Sequence, residues 1–159
     1  MQTTWILVAG MAGARVFVYA PGKEDSWFLA HSFDHPSGRL RDQEMVSDRR
    51  GRSFHRGDRI SHAGGRSGDP VRQEELVFAK RLACFLERAR RRLAYARLFI
   101  VSSPQFTGIL KRKMDPRTLK TVTGFLHQDL SSRSERETLD AMSSRIFPAP
   151  PLSGRDGSR

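Results

Sequence analysis

The 159-residue sequence is short of the residues that build disulfide frameworks and membrane spans. It has one cysteine, Cys84, and only two tryptophans and two tyrosines. A lone cysteine excludes an intramolecular disulfide framework and any multi-cysteine zinc or iron–sulfur site. Nothing then requires an oxidising compartment, and the expected address is cytoplasmic. The longest apolar-or-glycine run, Trp5 to Ala14, is about half of the roughly 20 residues a membrane helix needs, so no integral membrane segment is expected. The run also fits a signal peptide poorly, because no positive residue precedes it and Arg15 follows it directly. Histidine is sparse as well. The only metal-like spacing among the five is His31 and His35, which without further ligands reads as a surface pair. Neither a metal nor a cofactor is expected.

Negative charge is the remaining shortage. Seventeen Asp+Glu stand against 28 Lys+Arg, a formal charge of +11 with a pI near 11.1. Such an excess points to a polyanionic partner such as RNA, DNA or an anionic surface, and says nothing about fold. With 38% apolar residues the chain can bury one core. The expected organisation is a single domain over 1–146 and a disordered tail over 147–159, where Pro, Gly, Ser and Arg dominate.

Trp5 to Ala9 is continuously apolar and short, the pattern of a central strand covered on both faces, with Gly10 to Gly13 as its turn. Val16 to Tyr19 follows too closely to be anything but an antiparallel neighbour. Trp27 to Phe33 reads as a third strand. From 34 to 68 periodicity is lost, which predicts a long loop. Pro70 to Arg92 is expected to be a helix, with Asp69 as cap and Val71, Glu75, Phe78, Leu82, Phe85, Leu86, Ala89 and Leu93 at helical spacing. Lys80, Glu87, Arg88 and Arg91 lie opposite. Leu98 to Val101 repeats the buried-strand pattern. Ser103-Pro104 opens a second helix whose end carries Lys111, Arg112 and Lys113, where the helix dipole favours cations. Lys120 to Leu126 reads as an edge strand. Ser134 to Ile146 reads as a last helix, with Ser134 and Glu137 at capping-box spacing.

Three strands in a meander followed by a helical crossover give an α/β fold with a five-stranded mixed sheet of order 3-2-1-4-5, only strand two being antiparallel. Helices pack on that sheet. The chain leaves strands one and four in opposite lateral directions, so their carboxyl ends form a topological switch point, where open α/β sheets place ligands. Ser102, Ser103 and His127 are expected at that edge, beside the start of the long loop. The loop carries the densest chemistry. Arg39, Arg41, Arg49, Arg50, Arg52, Arg56, Arg59 and Arg66, with Phe54 among them, stand against only four carboxylates, Asp42, Glu44, Asp48 and Asp58. Arginine's planar fork suits phosphates and stacks on bases, so these nine residues are the candidate RNA-binding set; an ordinary solvated loop is the alternative. The basic helix ends, such as Arg88 to Arg92, would extend that footprint only if they face the same side as the loop.

Arg39-Leu40-Arg41-Asp42, the stretch Val46 to Phe54 ("VSDRRGRSF"), the Asp69-Pro70 helix start and Pro104 to Leu110 ("PQFTGIL") resemble the bacterial host-attachment-protein family. The similarity runs from about Trp5 to the last helix. The resemblance implies a domain similar to the central domain of archaeal and eukaryotic class I release factors, with a ribonuclease-H-like mixed sheet, and it raises ribosome association as an expectation. The chain departs from the family pattern at Gly10-Met11, where members commonly have Asp or Asn and then Gly, so a switch-point carboxylate is expected to be missing. It departs again at His127 to Ser132, where a lysine is replaced. The nearest feature to the release-factor Gly-Gly-Gln is Gly64-Gly65-Arg66.

Enzymatic readings lack their parts. A two-metal nuclease needs several converging carboxylates, and Gly10 occupies the obvious first position. A serine hydrolase could be imagined from Ser103 with His127 or His62, but the serines are explained by helix capping. No catalytic residue is therefore assigned. The sequence supports first a non-enzymatic RNA- or ribosome-interacting domain. The alternatives are a release-factor-like hydrolase of an ester such as peptidyl-tRNA, and an adaptor for attachment at an anionic cell surface.

Overall fold

A computed structural model of the chain describes residues 3–10, 12–20, 26–35 and 70–146. Its elements in chain order are β1 (Thr4–Gly10), β2 (Gly13–Ala20), β3 (Ser26–Asp34), α1 (Pro70–Arg91), β4 (Arg97–Ser102), α2 (Pro104–Lys113), the single turn α3 (Pro116–Leu119), β5 (Val122–His127) and α4 (Glu135–Ile146). The five strands form one open sheet of order β3-β2-β1-β4-β5. Only β2 runs antiparallel to its neighbours, as the short first turns and the helical crossovers dictate.

The sheet is covered on both faces. α1 and α2 lie on one, closing over Leu7, Val16, Leu98 and Ile100 with Phe78, Leu82, Leu86, Phe106 and Leu110. α4 lies on the other, where Leu130 and Met142 close over Ile6, Val8, Phe17 and Val101. This double cover is why β1, from Trp5 to Gly10, is free of polar side chains and buried. Truncating a side chain such as Leu7, which is fully buried, to alanine typically costs about 2–5 kcal/mol. Ala30 is an extra residue opposite the step from Val16 to Phe17, a bulge in the edge strand β3.

The helix caps follow from local chemistry. Ser103 Oγ accepts the Phe106 N–H at 3.2 Å. Ser134 and Glu137 make the reciprocal box, with Ser134 N–H to Glu137 Oε2 at 2.9 Å and Glu137 N–H to Ser134 Oγ at 3.3 Å. Asp69, the expected cap of α1, lies outside the described residues.

Several expectations are corrected. Asp34 belongs to β3 rather than to the loop, because it pairs with Gly13. Residues 116–119 form α3, with Asp115 Oδ1 accepting the Arg117 N–H at 2.8 Å, and β5, expected from Lys120, accordingly starts at Val122. Leu93, placed by its spacing on the apolar stripe of α1, is 88% exposed. The helix stops at Arg91 and Leu93 turns to φ 56°. The Leu93 N–H then bonds to Arg90 O and the Ala94 N–H to Ala89 O, a Schellman closure that swings the leucine side chain out of the stripe.

Candidate functional site

The carboxyl ends of β1, β4 and β5, and of β3 on the far side, share one edge. At its centre the β1–β2 turn meets the connection from β5 to α4. Gly10 is buried there, and a Cβ on it would collide with Asp129 Oδ1 and Ser131 Oγ. The carboxylate is folded back on its own loop, accepting from Ser131 N–H at 2.9 Å and from Ser131 Oγ–H at 2.6 Å. The same Ser131 oxygen accepts the Ala12 N–H at 3.3 Å. One serine thus stitches the β1–β2 turn to the β5–α4 connection, using its hydroxyl as donor and acceptor at once. The switch point therefore has a carboxylate after all. It is supplied by Asp129 from across the edge instead of by position 10, and only a glycine leaves room for it.

Gly13 makes a second close approach. Its φ of +143° is a conformation that L side chains rarely adopt, and a Cβ there would run into the Phe33 carbonyl oxygen. Beyond it Arg15 points to the α4 face. Its Nη2 donates to Leu130 O at 3.0 Å and to Thr138 Oγ1 at 2.8 Å, and its guanidinium lies 5.7 Å from the centre of the Phe17 ring. Thr138 can accept because its own hydroxyl proton goes to Ser134 O at 2.7 Å. Burial pulls the Arg15 pKa below its ordinary value, and the charge of Glu135 partly offsets this. An open cleft of about 350 Å³ lies against these groups, with Arg15, Ser32, Asp34, Ser131, Ser132 and Arg133 in its wall.

The three residues expected at this edge are present there. Ser102, register partner of His127, is fully buried, with its Oγ 2.7 Å from Thr107 Oγ1. Ser103 caps α2. His127 is exposed and its ring lies parallel to that of Phe125, the centres 6.3 Å apart. The nine expected RNA-binding residues, Arg39, Arg41, Arg49, Arg50, Arg52, Phe54, Arg56, Arg59 and Arg66, lie outside the described residues. The described residues on either side of that segment, His35 and Pro70, both lie at this edge: His35 is buried and stacks on Phe78 at 4.5 Å, and Pro70 starts α1.

Among the described residues no three of His, Cys, Asp or Glu come close enough together to hold a metal ion. No described helix is long and apolar enough to cross a membrane. Cys84 stands exposed on the outer side of α1. The sequence places Asp129 beside this edge with His127, but gives no role to it or to Ser131, Arg15 and Thr138. Two signals were available: an arginine opening an otherwise apolar strand, and the Asp-x-Ser spacing at 129–131, which favours a local side-chain turn.

A model of the family described as "Protein required for attachment to host cells" matches residues 5–141. No curated protein sequence matches the chain significantly. Among solved structures, one described as an archaeal protein superposes with a TM-score of 0.41 at 9% identity, over 89% of this chain and 38% of its own. An archaeal translation termination factor gives a TM-score of 0.39 at 8% identity, over 89% of this chain and 39% of its own. The chain thus spans under two fifths of the length of either.

Proposed function

The chain belongs to the family of proteins required for attachment to host cells, and from that premise we propose that it is a non-enzymatic domain that contacts RNA or the ribosome. The segment Arg39 to Arg66 makes the contact, and the cytoplasm is its place of action. The observation that carries this reading is where that segment is rooted. The described residues that flank it, His35 and Pro70, lie at the carboxyl edge of the sheet, which also carries the cleft walled by Arg15 and Arg133. Eight further arginines on that segment would add to a site where one guanidinium is already held in place by neutral acceptors. Guanidinium groups fixed in this way suit phosphate oxygens.

The geometry of the same edge speaks against the hydrolase reading. The Ser103 hydroxyl accepts from the first turn of α2, and His127 lies flat against Phe125, whereas acyl transfer needs a nucleophile and base within hydrogen-bonding reach of each other. The adaptor reading draws support from the family's own description. An adaptor at an anionic cell surface would use the same positive charge.

The test is co-sedimentation of the tagged protein with ribosomes from lysate at two salt concentrations. Binding through phosphates predicts a log–log slope of about −0.7 to −0.9 per phosphate engaged. A salt-insensitive association, or none, overturns the reading. Replacing Arg49, Arg50 and Arg52 by glutamine should weaken binding clearly, while replacing Arg136, Arg155 and Arg159 should matter much less. Equal losses in the two triple variants would remove the segment's special role.

A further inference from the structure

The described residues place their charge unevenly. At the amino edge, where α1, α2 and α3 end and β4 and β5 begin, stand Arg88, Arg90, Arg91, Arg92 and Arg97, with Lys111, Arg112, Lys113, Arg117 and Lys120. Ten cations there face two carboxylates, Glu87 and Asp115. Elsewhere among the described residues seven cations face seven carboxylates. The net positive charge of the described residues therefore lies entirely at one edge. It is the edge opposite the roots of the arginine-rich segment, since α1 with its 22 residues spans about 33 Å from one edge to the other. The described helix ends thus lie at the edge opposite His35 and Pro70, the described residues that flank the segment.

One of the ten works inward. Arg90 donates through Nε to Thr118 Oγ1 at 3.2 Å and lies 4.0 Å from Asp115, tying α1 to the start of α3. The other nine are exposed. Helix dipoles favour cations within a last turn, which accounts for Arg88, Arg91, Lys111, Arg112 and Lys113. They do not account for Arg97 and Lys120. Nor do they account for Leu93, an exposed leucine with positive φ standing between Arg92 and Arg97 in sequence. A bulky apolar side chain in the left-handed region, thrust into water, is disfavoured twice over. Six of the nine exposed cations are arginines, whose flat forks grip phosphates and stack on bases; an anionic lipid surface would accept lysine as well.

We propose that the amino edge is a second RNA-binding surface, which holds phosphates with its exposed arginines and lysines and sets Leu93 against a base or ribose. The proposal rests on the RNA reading above and adds to it a surface built from described residues at the other edge. A chain with basic surfaces at both edges would bridge two RNA segments, or two parts of one folded RNA.

The experiment is fluorescence anisotropy of the full chain with a short fluorescein-labelled single-stranded RNA across a salt series. The fourfold variant Arg92→Gln/Arg97→Gln/Lys113→Gln/Lys120→Gln should lower affinity roughly tenfold or more and flatten the salt slope by about 0.7 for each phosphate no longer neutralised. The control Arg72→Gln/Lys80→Gln/Arg136→Gln/Arg145→Gln removes the same charge elsewhere and should change affinity less than about threefold. Leu93→Gly should weaken binding with the slope unchanged. Equal losses in the two fourfold variants overturn the proposal, as does binding that only Arg49, Arg50 and Arg52 control; in the latter case the RNA reading survives. If the wild-type chain binds neither this RNA nor ribosomes, both fail together. Tighter capture by phosphatidylserine-containing vesicles than by RNA, abolished in the amino-edge variant, reassigns the surface to a membrane. A neutral Leu93→Gly overturns the placement of Leu93 against a base.

Discussion

At the carboxyl edge Arg15 is drawn in against Leu130 O and Thr138 Oγ1, whereas at the amino edge Arg88, Arg91, Arg92 and Arg97 stand in solvent. The residue type is the same at both. At the first edge, two glycines in close quarters and a serine that donates and accepts at once leave little freedom, and the arginine serves the architecture as well as the cleft. At the second, the helix ends project cations outward: Arg90 is tied to Thr118 on α3, while Arg91 pairs with Glu87 along its own helix at 2.8 Å. An arginine's neighbours, rather than its charge, decide whether it holds the fold or offers itself to a partner. The same contrast separates their sensitivities. The carboxyl edge should respond to changes in shape and the amino edge to changes in charge.

The largest effect should come from shape. Gly13→Ala forces a side chain into a positive-φ position facing the Phe33 carbonyl, and should destabilise the chain by about 2–3 kcal/mol in chemical denaturation. A neutral outcome would mean that the β1–β2 turn yields easily and that the carboxyl edge is no more rigid than its opposite.

Leu93→Gly probes the amino edge and has the opposite sign. Removing the side chain from the left-handed region should stabilise the chain by about 0.5–1 kcal/mol, seen as a higher Tm, because the leucine stands in solvent and its removal leaves no cavity. A lower Tm would show that Leu93 is held by the fold, and the two edges would then be alike.

The smallest effect concerns pH. Hydrogen bonds from the Ser134 hydroxyl and backbone N–H hold the Glu137 carboxyl below its ordinary pKa. A depressed folded-state pKa stabilises above the unfolded value, near 4.3, and that contribution disappears as pH falls through the folded one. Amide exchange at the first turn of α4 should therefore speed up on acidification below about pH 4, and Glu137→Gln should flatten the response. An unchanged profile would separate the cap from the rigidity of that edge.

Much of this architecture was legible in the sequence. The all-apolar stretches Trp5–Ala9 and Leu98–Val101 could only be strands covered on both faces, and Ser103-Pro104 and Ser134-x-x-Glu137 announced helix starts through bonds spanning three residues. Strand order followed from connection lengths. The site was less legible. Ser102, Ser103 and His127 fell on the right edge, because topology follows from those connections, but their hydroxyls and ring were already engaged by Thr107, Phe106 and Phe125. Leu93 kept its helical spacing in sequence and left the core because the helix stopped at Arg91 and the chain turned left-handed at Leu93.

What the sequence determined by itself is whatever depends on neighbours along the chain: periodicity, caps, turn residues, total charge and, through connection lengths, the order of the strands. What only the tertiary structure decided is what depends on pairs far apart. Asp129 fills the space beside Gly10 that a side chain there would need, and Ser131 reaches Ala12 across 119 positions. Likewise, the +11 total is one number in the sequence, and the excess carried by the described residues gathers at one edge because α1, α2 and α3 all end on the same side of the sheet. Local bonds are written in spacing. Contacts between distant segments exist only once the sheet has brought those segments together, and no spacing encodes them.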